Sequence, residues 1–193
     1  MPRIALLLIL LSLVGCGTRL QLTGTAIEPP KPAPDFTLTD ELNQAFTLSS
    51  QRGQGKVHVI FFGFTACPDI CPTELANLAA TMRALGADAQ GIQVLFISLD
   101  PERDTTARLQ QYVTAFNPNF KGLRGEKPIL DPVVKAYGVS YERHDLPESA
   151  LRYTIDHSGF TYVIDKAGRW REVFAYGTPV EDFVTDLRAL VHE

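Results

Sequence analysis

Cys67 and Cys71 stand four residues apart in the run Phe64-Thr65-Ala66-Cys67-Pro68-Asp69-Ile70-Cys71-Pro72. On a helical turn, positions i and i+4 share a face. That spacing puts the two Cα atoms about 6 Å apart, near the upper end of what a disulfide accepts. The pair can therefore close into a disulfide or open to hold a metal. Both reactions need a thiolate, and a helix N-terminus favours that form at the cysteine nearest to it. Two thiolates are soft ligands and suit Cu(I) or Zn. A third ligand would narrow the choice, and the chain has four histidines. His58 falls within a strand-like run, His144 in a polar stretch and His192 at the C-terminus. His157, in Asp156-His157-Ser158-Gly159, precedes another strand and is unencumbered. Spacing alone leaves it balanced between a metal ligand and an ordinary loop histidine. Asp69 and Asp156, beside these residues, either tune the ligands through hydrogen bonds or act as turn and cap residues.

These groups meet only if the surrounding elements bring them together. Residues 57–62 (Val-His-Val-Ile-Phe-Phe) are a short apolar run closed by Gly63, the pattern of a buried strand. Leu75, Leu78, Ala79, Met82 and Leu85 recur at helical spacing, with Pro72 near the first turn, where its missing N–H costs nothing. Residues 94–99 read as a second buried strand, Leu109, Tyr112, Val113 and Phe116 as a second helix, and 129–137 as a third. Residues 160–164 and 170–174 flank Asp165-Lys166-Ala167-Gly168 as a hairpin, and Phe183, Leu187, Leu190 and Val191 give a closing helix. A strand–helix–strand unit followed by a hairpin and a helix is the thioredoxin topology. The expected fold is thus α/β and thioredoxin-like, a central mixed sheet flanked by helices, in one domain over 35–193. In that topology the segment entering the hairpin faces the cysteine turn, which is what places His157. Residues 141–153 are polar, contain Pro147 and read as a long irregular loop, often a functional feature. Residues 100–105 have the charge density of a catalytic loop but read as a loop and helix cap, with Asp104 or Thr105 of the N-cap type. Phe61, Phe62 and Phe64 read as core, with Phe64 placed to shield the site from water.

Of the 193 residues, 45% are hydrophobic and 21% charged, which excludes a disordered chain and a polytopic membrane protein. A net charge of −4 without a basic stripe speaks against a nucleic-acid partner. Residues 1–15 lie outside the fold. Met1-Pro2-Arg3 is short and positive, and residues 4–14 are apolar apart from Ser12, too few to span a bilayer but of signal-peptide length. The stretch ends in Leu13-Val14-Gly15-Cys16, which resembles the lipobox of bacterial lipoproteins. That resemblance implies cleavage before Cys16 and a diacylglycerol thioether on it, a stable anchor when further acyl chains join. The alternative is an ordinary secretory signal with an incidental cysteine. Residues 16–34, ending in Pro29-Pro30-Lys31-Pro32-Ala33-Pro34, read as a semi-rigid tether. Three cysteines are an awkward number for an exported protein, and with Cys16 lipidated one pair remains. The expected location is extracytoplasmic, lipid-anchored to a bacterial membrane and facing the periplasm.

Three ordered runs resemble the Sco/SenC family: residues 64–72 as quoted, Ile97-Ser98-Leu99-Asp100-Pro101-Glu102-Arg103-Asp104-Thr105, and Asp156-His157-Ser158. Gly122-Leu123-Arg124-Gly125 and Lys135-Ala136-Tyr137-Gly138-Val139 add to the likeness, which runs from Pro34 to the C-terminus. The resemblance implies a thioredoxin-like fold and a copper site made by Cys67, Cys71 and His157, holding one Cu(I) or Cu(II) per chain. It also implies a metallochaperone role in assembling the CuA centre of cytochrome c oxidase, with the CuA-bearing subunit as partner. A periplasmic copper donor and a thiol reductant are further expected partners, and oxidation to a Cys67–Cys71 disulfide would switch binding off. Family members are often held by a transmembrane helix, so the lipobox changes only the anchor. The rival reading is a thiol–disulfide oxidoreductase acting on the CuA cysteines or on another extracytoplasmic protein. The fold permits it, although the usual redox motif has two intervening residues and this one has three. A peroxidase is disfavoured because Phe64 stands where such sites place threonine.

Overall fold

The computed structural model of the protein describes residues 20–193. In chain order the described elements are β1 (Thr25–Pro32), β2 (Thr37–Asp40), β3 (Ala45–Thr47), β4 (Val57–Gly63), α1 (Ile70–Leu85), β5 (Ile92–Ser98), α2 (Thr106–Phe116), β6 (Lys121–Arg124), α3 (Lys127–Ala136), β7 (Tyr141–Leu146), β8 (Arg152–His157), β9 (Phe160–Ile164), β10 (Arg169–Ala175) and α4 (Val180–His192). All seven residues of β4 are buried. Val57, Val59 and Phe61 join one core cluster while Ile60 and Phe62 join another. A strand covered on both faces has no polar side to alternate with, which is why its sequence is a continuous apolar run. It pairs in parallel with β5, from Val57↔Ile92 to Gly63↔Ser98, and antiparallel with β9.

Eight strands form one mixed sheet in the order β1-β10-β9-β4-β5-β6-β2-β3. One core cluster fills the space under α1, α2 and α4 through Leu75, Leu78, Leu109, Val113, Phe183 and Leu187. The other lies under α3, where Leu130, Val133 and Val134 meet Tyr137, Tyr162 and Trp170. The β9–β10 hairpin turns at Gly168, whose φ of 77° favours glycine. The Asp165 carboxylate accepts the N–H groups of Ala167 (3.0 Å) and Arg169 (2.8 Å) across that turn. This is the expected thioredoxin-like α/β fold in a single domain, with the cysteine turn where β4 gives way to α1.

Two sequence expectations are corrected. The tether over 16–34 does not hold for its second half, because Thr25–Pro32 is an edge strand paired antiparallel with β10, from Thr25↔Val173 to Pro32↔Arg169. The pairing is irregular between Ala26 and Lys31, where Pro29 and Pro30 sit. Proline lacks an N–H and is tolerated at a sheet edge or bulge, so a proline-rich run is compatible with this one position. Leu20 and Leu22 pack on the core, and the Thr23 N–H and hydroxyl donate to Asp186 at 2.6 and 2.7 Å. The folded unit therefore begins well before residue 35. The second correction concerns residues 141–153, which are not an irregular loop. They form β7, a short turn and the start of β8, a two-stranded ribbon in register from Tyr141↔His157 to Leu146↔Arg152. Only β8 alternates, with Tyr153 and Ile155 buried, while β7 is almost wholly exposed. A ribbon with one solvated strand carries too little apolar pattern to read as strands.

Candidate metal centre

Cys67 lies in the loop leaving β4 and is half-buried, whereas Cys71 lies in the first turn of α1 and is fully buried. The two therefore do not sit one turn apart on a shared helix. Instead the first N–H groups of α1 address Cys67: the Cys71 N–H donates to its Sγ at 3.4 Å. The Cys67 thiol is pushed down to about 4, first by the hydrogen bond from the Cys71 side chain, then by His157 and the backbone N–H groups of Cys71 and Asp69, against an opposing effect of burial. Cys71 moves the other way, its thiol raised by the bond to Cys67 and by burial. The pair thus carries one thiolate, on Cys67, while Cys71 keeps its proton. Gly63 is required by close approach, because a Cβ there would lie 2.7 Å from Cys71 Sγ and 2.8 Å from Phe96 Cε2.

His157 closes β8 and faces the cysteine turn across a cleft of about 330 Å³. Phe64, Cys67, Pro68, Asp69 and Ile70 line the cleft on one side and Thr154 to His157 on the other. His157 Nε2 is 3.5 Å from Cys71 Sγ. Its Nδ1 is 3.1 Å from the Ser158 carbonyl, which only accepts, so Nδ1 carries a proton, and Nε2 is the ring atom turned to the sulfurs. The rings of Phe61 and Phe64 meet the imidazole edge-on at 6.1 and 6.2 Å. The three donor atoms lie within 4.8 Å of one another. Three atoms bound to one ion at about 2.0–2.3 Å in a plane stand about 3.5–4 Å apart, so small side-chain shifts gather this set onto a metal. Two sulfurs and one imidazole suit a soft ion, and three donors leave the coordination shell of most first-row ions incomplete.

The other expected site residues fall outside this cluster. Asp69 is the N-cap residue of α1, exposed and without a side-chain cap bond, and it serves Cys67 and Thr73 through its backbone. Asp156 is exposed and pairs with His144 at 3.2 Å. His58 is buried in β4, its imidazole pushed down to about 4 by burial and then by Lys56. His192 pairs with Asp88 at 2.9 Å. Cys16 lies outside the described residues. Within 100–105, Thr105 is the N-cap of α2, accepting the Arg108 N–H at 3.2 Å. Asp104 instead turns inward and accepts the Thr65 N–H and hydroxyl at 3.0 and 2.6 Å, two residues from Cys67. That role had a signal in the sequence, a charge-dense run ahead of an apolar helix, but not a partner. Among the described residues, no helix is long and apolar enough to cross a membrane.

The sequence model of the SCO1/SenC family matches residues 24–192. An SCO2-like protein of Rickettsia conorii is 35% identical over 154 residues, 80% of this chain and 74% of that protein. Bradyrhizobium japonicum ScoI, solved with copper bound, shares 36% identity at a TM-score of 0.74, over 82% of this chain and 99% of that one. The apo Sco1 protein of Thermus thermophilus shares 34% identity at a TM-score of 0.77, over 90% and 99%.

Proposed function

The chain belongs to the SCO1/SenC family, and from that premise we propose that it carries copper on Cys67, Cys71 and His157 and hands it to the CuA-bearing subunit of cytochrome c oxidase during assembly. The observation that carries this reading is the gathering of two sulfurs and one imidazole nitrogen within 4.8 Å, at the mouth of an open cleft. Three donors are enough to hold Cu(I) and leave room for an acceptor's ligand to enter before the chain's own ligands leave. His157 supplies the donor that also suits Cu(II). Cys67 is already a thiolate, whereas Cys71 must give up a proton when the ion arrives, so loading releases acid. Oxidation of the pair to a disulfide consumes both sulfur donors and turns binding off. Relatives solved with copper bound support the choice of metal. A lipid on Cys16 would hold the domain at the periplasmic face of a bacterial membrane, within reach of a membrane oxidase, a copper donor and a thiol reductant.

A second reading is favoured by the cysteines themselves. A half-buried thiolate beside a buried, protonated thiol is also the arrangement of a thiol–disulfide oxidoreductase, in which Cys67 would attack and Cys71 resolve. His157, whose hydrogen bond favours the Cys67 thiolate, fits either reading and does not separate them. Competition for Cu(I) against a chromophoric chelator, with the pair first reduced and then oxidised, separates the two. One tightly held copper in the reduced chain alone supports the carrier. No competitive binding, together with a readily cycled disulfide, supports the oxidoreductase.

A further inference from the structure

β7 and β8 form their own two-stranded sheet, and no ladder joins them to the sheet that carries the cysteine turn. His157 is joined to that sheet at one end, through Ser158-Gly159 to β9, and the rest of its placement depends on how the ribbon is tied to the body. Tyr141 of β7, opposite His157 in the ribbon, bonds Lys127 and Asp131 of α3, and the polar tie to the cysteine turn is the loop that leaves β5. On one side Asp104, fully buried, accepts the Thr65 N–H and hydroxyl, holding the segment that leads into Cys67. On the other side Asp100, 2% exposed, accepts the Tyr153 hydroxyl at 2.6 Å. The Arg103 guanidinium bonds Asp100 and donates to the carbonyls of Leu151 and Tyr153 at 3.0 Å each. The same guanidinium lies 3.6 Å over one face of the Tyr153 ring while that of Arg143 lies 3.7 Å over the other. Ser98 joins the halves: its hydroxyl donates to Asp104 at 2.6 Å and accepts the Asp100 N–H at 3.0 Å. Tyr153 and His157 are on one strand at even spacing and so share its inward face.

We propose that Asp100, Arg103 and Asp104 form a clip that sets the separation between the cysteine turn and His157, which makes them positioning residues for copper capture. Asp104 acts through Thr65 on the sulfurs, and Asp100 with Arg103 acts through Tyr153 on the imidazole. The inference rests on the reading of Cys67, Cys71 and His157 as copper ligands. Partners that orient metal ligands commonly change affinity by about 10–100-fold when removed.

The test uses the reduced full-length chain in detergent and reads Cu(II) affinity and the Cu(II) absorption and EPR spectra. Tyr153→Phe removes the hydroxyl from Asp100 and keeps the ring, and Arg103→Lys is the second variant on that arm. Each should weaken Cu(II) about tenfold and alter the spectrum. In a His157→Ala background each should change affinity less than about twofold, because the ligand through which it acts is gone. Thr65→Val, on the sulfur arm, should weaken Cu(II) about tenfold both in the wild-type chain and in that background. Losses in Tyr153→Phe and Arg103→Lys that are equal with and without His157 would mark a general structural role and overturn the clip, as would wild-type affinity and spectra in both. A wild-type chain that binds no copper would overturn the three-ligand reading, and the clip with it.

Discussion

Glu172 lies on β10 with its side chain fully buried, beside the Asp186 carboxylate and the Gly24 N–H. Burial first, then the neighbouring Asp186 carboxylate, pushes its acid up from 4.5 to about 9. Asp186 is itself held by the Thr23 N–H and hydroxyl and by the Gly24 N–H at 3.2 Å. Glu172 is thus protonated in the folded chain at neutral pH and ionised in the unfolded one. An acid raised in this way contributes stability that is complete below the unfolded value and is lost as pH rises towards the folded one. Between pH 4.5 and 9 the loss runs at about 1.4 kcal/mol per unit, or about 3 kcal/mol by pH 7. Glu172→Gln copies the shape of the neutral acid, can donate to Asp186 and does not titrate. It should unfold in urea within about 1 kcal/mol of wild type near pH 5 and be about 3 kcal/mol more stable at pH 7, with an unchanged m value. A difference independent of pH, or a variant less stable at pH 7, would refute the reasoning, because it would mean that Glu172 is ionised and paired in the native state.

Three other outcomes are expected. With the Cys67 thiol near 4, iodoacetamide should alkylate the reduced, metal-free protein at Cys67 at close to its full rate near pH 6, and a rate that climbs only around pH 8–9 would contradict the thiolate. Gly63→Ala drives a methyl group into Cys71 Sγ and Phe96, so stability should fall by about 1–3 kcal/mol and copper affinity with it, as read by urea unfolding and chelator competition. A chain beginning at Asp35 loses β1 and the three hydrogen bonds from Thr23 and Gly24 to Asp186. Its melting temperature should drop by more than about 5 °C, whereas an unchanged value would return that segment to the role of a tether.

Much of the site was legible because it is local. The apolar run of β4, the helical spacing of Leu75, Leu78, Met82 and Leu85, and the cysteines between them lie within about thirty residues, and their order already implies a turn at the end of a buried strand. His157 was not legible in that way. Eighty-six residues separate it from Cys71, and no spacing rule bridges that gap. The expected topology set it apart from the other histidines as an even candidate, family resemblance made it a ligand, and the fold brings its Nε2 to 3.5 Å from the sulfur. The edge strand β1 was hidden because prolines read as a linker until a partner strand is known. The ribbon was hidden because β7 faces water on nearly every residue.

The α/β order, the buried central strand and the placing of two soft ligands at its end follow from period and composition over short windows of sequence. The folded molecule alone settles what depends on groups far apart in the chain. It drew Thr23 to Asp186, made Glu172 a neutral acid, split the two thiols into a thiolate and a thiol, and tied Asp100 to Tyr153 and Asp104 to Thr65. A buried polar group must find its partner wherever the fold supplies one. Its meaning therefore cannot be read from its neighbours in the chain, whereas an apolar residue in a strand or helix declares its face through the residues beside it.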